Sequence, residues 1–136
     1  IKMQSEMDSF LADNPKVAEY FIMLGEVKNV DELYRSSDAL MHVSLYEGLP
    51  NVICEAMISG CPVIASNVCD HPRILGNGDR GFLCDPSSPE SICGAIERFD
   101  SLSVKERSII SKKARHYSEE NFDIRRMVTQ FEQLLI

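Results

Sequence analysis

Four short apolar runs, "YFIMLG" (20–25), "ALMHVS" (39–44), "PVIAS" (62–66) and "GFLCD" (81–85), alternate with longer amphipathic segments. This alternation constrains the chain more than any other feature. Strands separated by helical stretches are joined by crossovers, and crossovers pair strands in parallel. The runs are apolar throughout and do not switch between polar and apolar residues. That is the pattern of strands covered on both faces. The expected fold class is therefore α/β, a parallel sheet with flanking helices.

The intervening segments carry helix signals. Residues 4–13 place Met7, Phe10 and Leu11 on one helical face. "NVDELYRSSD" (29–38) reads as a short helix with Asn29 or Asp31 near its cap. "LPNVICEAMISG" (49–60) reads as a helix, with Pro50 suited to its first turn and Gly60 to the position past its end. Residues 67–80 are polar and predict a loop with at most one helical turn. "SSPESICGAIERF" (87–99) begins with Ser and Pro at helix-start positions. Two further amphipathic helices are predicted over 103–119 and 122–135.

A length of 136 residues fits one domain. The formal charge of −7 opposes nucleic-acid backbones and anionic membrane surfaces. No apolar run approaches the roughly 20 residues of a membrane span. The first ten residues lack the pattern of a secretion signal. The five cysteines lack zinc-ligand spacing, which predicts reduced thiols used as small hydrophobes in a cytoplasmic setting. No metal site is expected.

Chemistry concentrates in "YEGLPNVICEAMISGCP" (46–62). In an open parallel sheet, ligands bind beyond the carboxyl ends of the strands. The loop after "ALMHVS" lies at that rim and runs into a helix. The first N–H groups of that helix lack internal partners and its dipole is positive there, which favours an anion. Gly48 lets backbone approach a ligand closely. Glu47 precedes the positive end, and Glu55 lies about one and a half turns into the helix, roughly 8 Å or less along the axis from its start. Two carboxylate acceptors around an anion site suit a ligand that mixes hydroxyls with phosphate, such as a nucleotide-sugar. The same positions also suit a helix-terminus charge partner and a solvated helix residue. Spacing alone leaves both readings open.

The ordered stretch "EGLPNVICEAMISGCPVIAS" resembles the signature of retaining glycosyltransferases of the GT-B fold, family 4. "LGEVKNVDELYRSSDALMHVSLYEG" upstream and "GDRGFLCDPSSPESICGAIERF" downstream fit the same family, so the resemblance covers residues 20–99. It implies a Rossmann-like, partial GT-B carboxyl-terminal domain over residues 1–136. It also implies transfer of a sugar from a nucleoside diphosphate sugar with retention, without metal or other cofactor. Glu47 matches the first glutamate of the paired motif, the catalytic-site carboxylate beside the donor sugar and its phosphate. Gly48 and Leu49 match the loop facing the sugar or diphosphate. Asn51 and Val52 match the helix start near the phosphates, and Glu55 matches the glutamate that binds the ribose. The implied acceptor is a glycan or lipid-linked glycan. The implied location is cytoplasmic, with peripheral association at the inner membrane face for the full-length protein.

Two departures matter. Arg73 stands near a position where many members carry glutamate, and is read as a surface residue or an extra phosphate contact; His42 and His71 are read as structural. The strand and loop that carry the family's Arg and Lys clamp have no match before residue 20. The first two strands and the amino-terminal acceptor domain are expected to be absent from this chain. An incomplete sheet of this kind would leave an edge open to self-association. This chain is expected to be inactive alone. A GT-B nucleotide-sugar epimerase relative and a non-catalytic nucleotide-sugar-binding or interaction module are the competing readings.

Overall fold

The computed structural model describes residues 2–122 and 132–133. Its centre is a parallel sheet in the order β1-β2-β3, with β1 at Leu40–His42, β2 at Val63–Ser66 and β3 at Phe82–Cys84. Leu40 pairs with Val63, and Ile64 pairs with Phe82. Seven α-helices surround it among the described residues: α1 Lys2–Asp13, α2 Pro15–Ala18, α3 Val30–Ser36, α4 Asn51–Ile58, α5 His71–Ile74, α6 Pro89–Asp100 and α7 Val104–Asn121.

The central strand explains the layering. All four β2 residues are buried. Successive side chains point to opposite faces of a strand. Val63 and Ala65 join Tyr34, Ile53, Ala56, Met57, Ile74, Leu75 and Ala114 in one core. Ile64 joins Cys84, Ala95 and Phe99 in the other. So α3, α4 and α7 cover one face and α6 covers the other. This is the α/β layout expected from the alternation.

The local signals account for the element ends. Gly60, at φ 78°, closes α4 in a left-handed conformation. Its N–H donates to the Met57 carbonyl and the Cys61 N–H to the Ala56 carbonyl, the two bonds of a Schellman ending. Pro50 sits just before α4 as its cap residue, one position earlier than the first turn. Ser88 caps α6 by accepting from the Ser91 N–H. Ser103 and Glu106 form a reciprocal capping box at the start of α7. Gly81 is required before β3 for a steric reason. A Cβ there would lie 2.8 Å from the Val63 carbonyl oxygen and 2.9 Å from Leu75.

Three expectations need correction. The run at 20–25 is not a strand: Tyr20 is 87% exposed and Ile22 84%. Apolar composition favours burial, but a strand exists only where a neighbour pairs with its backbone. The described sheet stops at β1, whose outer edge pairs with no described strand. For the same reason β1 is half-buried, with Met41 52% exposed, where a buried strand was expected. Lastly, two of the five cysteines, Cys69 and Cys93, are exposed. Cys54, Cys61 and Cys84 fit the hydrophobe reading, and burial pushes all three thiols up in pKa. The helix expected over 122–135 lies outside the described residues, apart from Phe122, which follows α7, and the helical pair 132–133.

Candidate functional site

The carboxyl ends of the three parallel strands share one rim. Side-chain and backbone bonds tie that rim together. The Ser44 N–H, just past β1, donates to Ser66 Oγ at the end of β2 (3.2 Å). The Asn67 N–H donates to the Cys84 carbonyl at the end of β3 (2.7 Å). His71, fully buried at the start of α5, donates from Nδ1 to the Ser66 carbonyl (2.8 Å). A carbonyl only accepts, so Nδ1 carries the proton of this bond.

Glu47 lies in the loop that leaves β1 at this rim. Its Oε1 is 3.3 Å from His42 Nε2, on the last residue of β1. The contact is an ion-pair distance without the alignment of a hydrogen bond. The His42 ring lies against His71, with centroids 5.6 Å apart. Glu47 is thus backed by two histidines and keeps 34% of its side chain exposed. His42 Nε2, His71 Nε2 and Ser44 Oγ are buried without a hydrogen-bond partner. This rim therefore concentrates polar groups whose bonding is incomplete.

The residues after Glu47 face solvent. Gly48, Leu49, Asn51, Val52 and Glu55 are all exposed. A Cβ at Gly48 would meet nothing within 4 Å, so the backbone there is open to approach. The Asn51 N–H donates to the Leu49 carbonyl (3.0 Å) as the chain turns into α4. Inward, Ile53, Ala56 and Met57 are buried and fix the helix on the sheet. Glu55 projects from the other side, and its Oε2 accepts from the Tyr34 hydroxyl on α3 (3.4 Å). Each glutamate thus has a contact from the protein body through one oxygen, Glu47 Oε1 with His42 and Glu55 Oε2 with Tyr34.

Arg73 is at the surface. Its Nε and one terminal nitrogen donate to the two oxygens of Asp70, each at 3.2 Å. The guanidinium holds the Asp70 carboxyl below its ordinary pKa. This agrees with the surface reading of Arg73. Among the described residues, no group of three His, Cys, Asp or Glu side chains is placed to hold a metal ion. No described helix is long and apolar enough to cross a membrane.

Two neighbours of the site were not foreseen. His42 was read as structural, although its place five residues before Glu47 on a strand end was a usable signal. Tyr34 gave no signal, since an aromatic residue in an amphipathic helix reads as core.

Comparison with known proteins identifies the family. The family model described as glycosyl transferases group 1 matches residues 5–117. The chain belongs to the glycosyl transferases group 1 family. It is 28% identical over 125 residues to N-acetyl-alpha-D-glucosaminyl L-malate synthase of Bacillus anthracis, covering 91% of this chain and 32% of that protein. It is 30% identical over 115 residues to UDP-Gal:alpha-D-GlcNAc-diphosphoundecaprenol alpha-1,3-galactosyltransferase of Escherichia coli, covering 85% of this chain and 29% of that protein. The chain therefore spans about a third of the length of these curated relatives. In fold it matches sucrose-phosphate synthase of Thermosynechococcus elongatus with a TM-score of 0.83, at 21% identity over 98% of this chain and 34% of the other. The fold is that of GT-B glycosyltransferases.

Proposed function

We propose that this group 1 chain is the donor-binding part of a longer retaining glycosyltransferase. The observation that carries the reading is the placement of Glu47 and Glu55 about the start of α4, at the carboxyl rim of a parallel sheet. The donor is a nucleoside diphosphate sugar. The N–H groups and dipole of α4 favour its diphosphate. Glu55 accepts hydrogen bonds from the ribose diol. Gly48 and Leu49 face the sugar or diphosphate, and Asn51 and Val52 lie by the phosphates.

Glu47 is the catalytic residue. As the bond between the anomeric carbon and the diphosphate breaks, the electron pair leaves with the phosphate and positive charge grows on the sugar. A fixed carboxylate accepts from the sugar hydroxyls and stabilises that charge. The leaving diphosphate is stabilised by helix N-termini and basic side chains, so no metal or other cofactor is needed. The sugar is a hexose. The acceptor is a glycan or a lipid-linked glycan. The galactosyltransferase of Escherichia coli supports this, since its name includes a diphosphoundecaprenol acceptor. The enzyme works in the cytoplasm or at the inner membrane face.

The acceptor domain and the basic clamp belong to the rest of the protein. The edge of β1, which pairs with no described strand, the exposed run at 20–24 and the one-third coverage of the relatives support this. The 136-residue chain is expected to show no sugar transfer. The full-length protein is expected to transfer sugar with the anomeric configuration of the donor, read by NMR of the product. Transfer by the isolated chain, or an inverted product, would contradict the proposal. An epimerised nucleotide-sugar without transfer would favour the epimerase reading instead.

A further inference from the structure

Glu55 is exposed on α4, and a free glutamate side chain loses rotamer entropy when a ligand immobilises it. Tyr34 removes part of that cost in advance. Tyr34 is only 7% exposed and belongs to the same core as Ile53, Ala56 and Met57 of α4. A ring packed in this way leaves the hydroxyl little freedom. That hydroxyl donates to Glu55 Oε2 at 3.4 Å across 21 residues of sequence. Burial and the neighbouring carboxylate both push the phenol pKa up, which keeps the group protonated and donating. The Tyr34 hydroxyl thus restrains the Glu55 carboxylate through one oxygen.

We propose that Tyr34 is a positioning residue that holds Glu55 ready for the ribose diol and so makes the site selective for ribonucleotides over their deoxy counterparts. The proposal rests on the reading of Glu55 as the ribose acceptor. Preorganisation raises affinity by cutting ordering cost, and it does so only for ligands that use the ordered group. A nucleotide without ribose hydroxyls gains nothing from Tyr34.

The test is calorimetric titration of the full-length protein with uridine, guanosine and adenosine diphosphates and with their 2′,3′-dideoxy counterparts. The unaltered protein prefers the ribo form of the base that it binds. Glu55→Ala abolishes the preference. Tyr34→Phe keeps the ring in the core and removes only the donor. It is expected to weaken the ribo form by about three- to tenfold and to leave the dideoxy form unchanged. The Tyr34→Phe/Glu55→Ala double variant is expected to bind as Glu55→Ala does. Equal weakening of both forms by Tyr34→Phe would mark a merely structural role and overturn the proposal. So would an unchanged ribose preference in Tyr34→Phe when Glu55→Ala has lost it. If Glu55→Ala itself keeps the preference, the ribose role of Glu55 is wrong and the proposal falls with it.

Discussion

Glu47→Gln in the full-length enzyme is expected to lower turnover by about 10²- to 10³-fold while changing nucleoside diphosphate affinity by less than about threefold. The substitution keeps size and one acceptor oxygen but removes the charge and turns the other oxygen into a donor NH2. Glu47 is assigned to the sugar, where charge develops only as the donor bond breaks, so the loss belongs in kcat. The surroundings support a fixed geometry. Glu47 is half-buried, stands beside His42, and is backed by His71, which the Ser66 carbonyl holds in place. A glutamine would retain the position and lose the stabilisation. Steady-state kinetics and equilibrium titration on the same preparation separate the two quantities. A large loss of affinity with little change in turnover would mean that the roles of Glu47 and Glu55 are exchanged.

Met57→Ala is expected to lower stability by about 2–5 kcal/mol. That is a large part of the roughly 5–15 kcal/mol available to a domain. Met57 is fully buried in the core shared by α3, α4, β2, α5 and α7. Ile53, Ala56, Val63 and Ile74 of the same core are equally buried, so the deletion would leave a cavity among packed side chains. Met57→Leu keeps the volume and is expected to cost less than about 1.5 kcal/mol. Chemical denaturation of the three proteins measures the difference. A Met57→Ala loss below about 1 kcal/mol would show that α4 is not packed as described. Because Glu55 is two residues away on the same helix, this packing also sets where the second carboxylate stands.

What could be read in the sequence follows from the range of the interactions involved. The ends of α4, α6 and α7 are fixed by neighbours within six residues; Gly60 and the Ser-Pro start of α6 announced two of them, and the Ser103–Glu106 capping box of α7 is of the same short range. The buried run of β2 was equally legible, because a central strand needs apolar residues on both faces. The run at 20–25 shows where such reading stops. Its apolarity records a preference for burial and says nothing about the partner that burial requires. Met41 on β1 is exposed for the same reason.

The candidate site divides in the same way. Glu47 and Glu55 stood out because they bracket the start of one helix, Glu47 before it and Glu55 about one turn inside it, at the two ends of the nine-residue stretch "EGLPNVICE". Their companions did not. Tyr34 reaches Glu55 across 21 residues, and no periodicity reports such a contact. His71 meets His42 only because β1 and β2 are adjacent and parallel. Neighbourhoods created by strand pairing become visible only once the sheet is assembled.

The central claim is that these two carboxylates mark a nucleotide-sugar site. Titration of the full-length protein with nucleoside diphosphates tests it most directly, with Glu55→Ala as the probe and Glu97→Ala, on α6, as the control. Saturable binding is predicted that Glu55→Ala weakens by about tenfold or more and Glu97→Ala leaves unchanged. Failure of the folded protein to bind any nucleoside diphosphate would contradict the account, as would binding that Glu55→Ala does not alter.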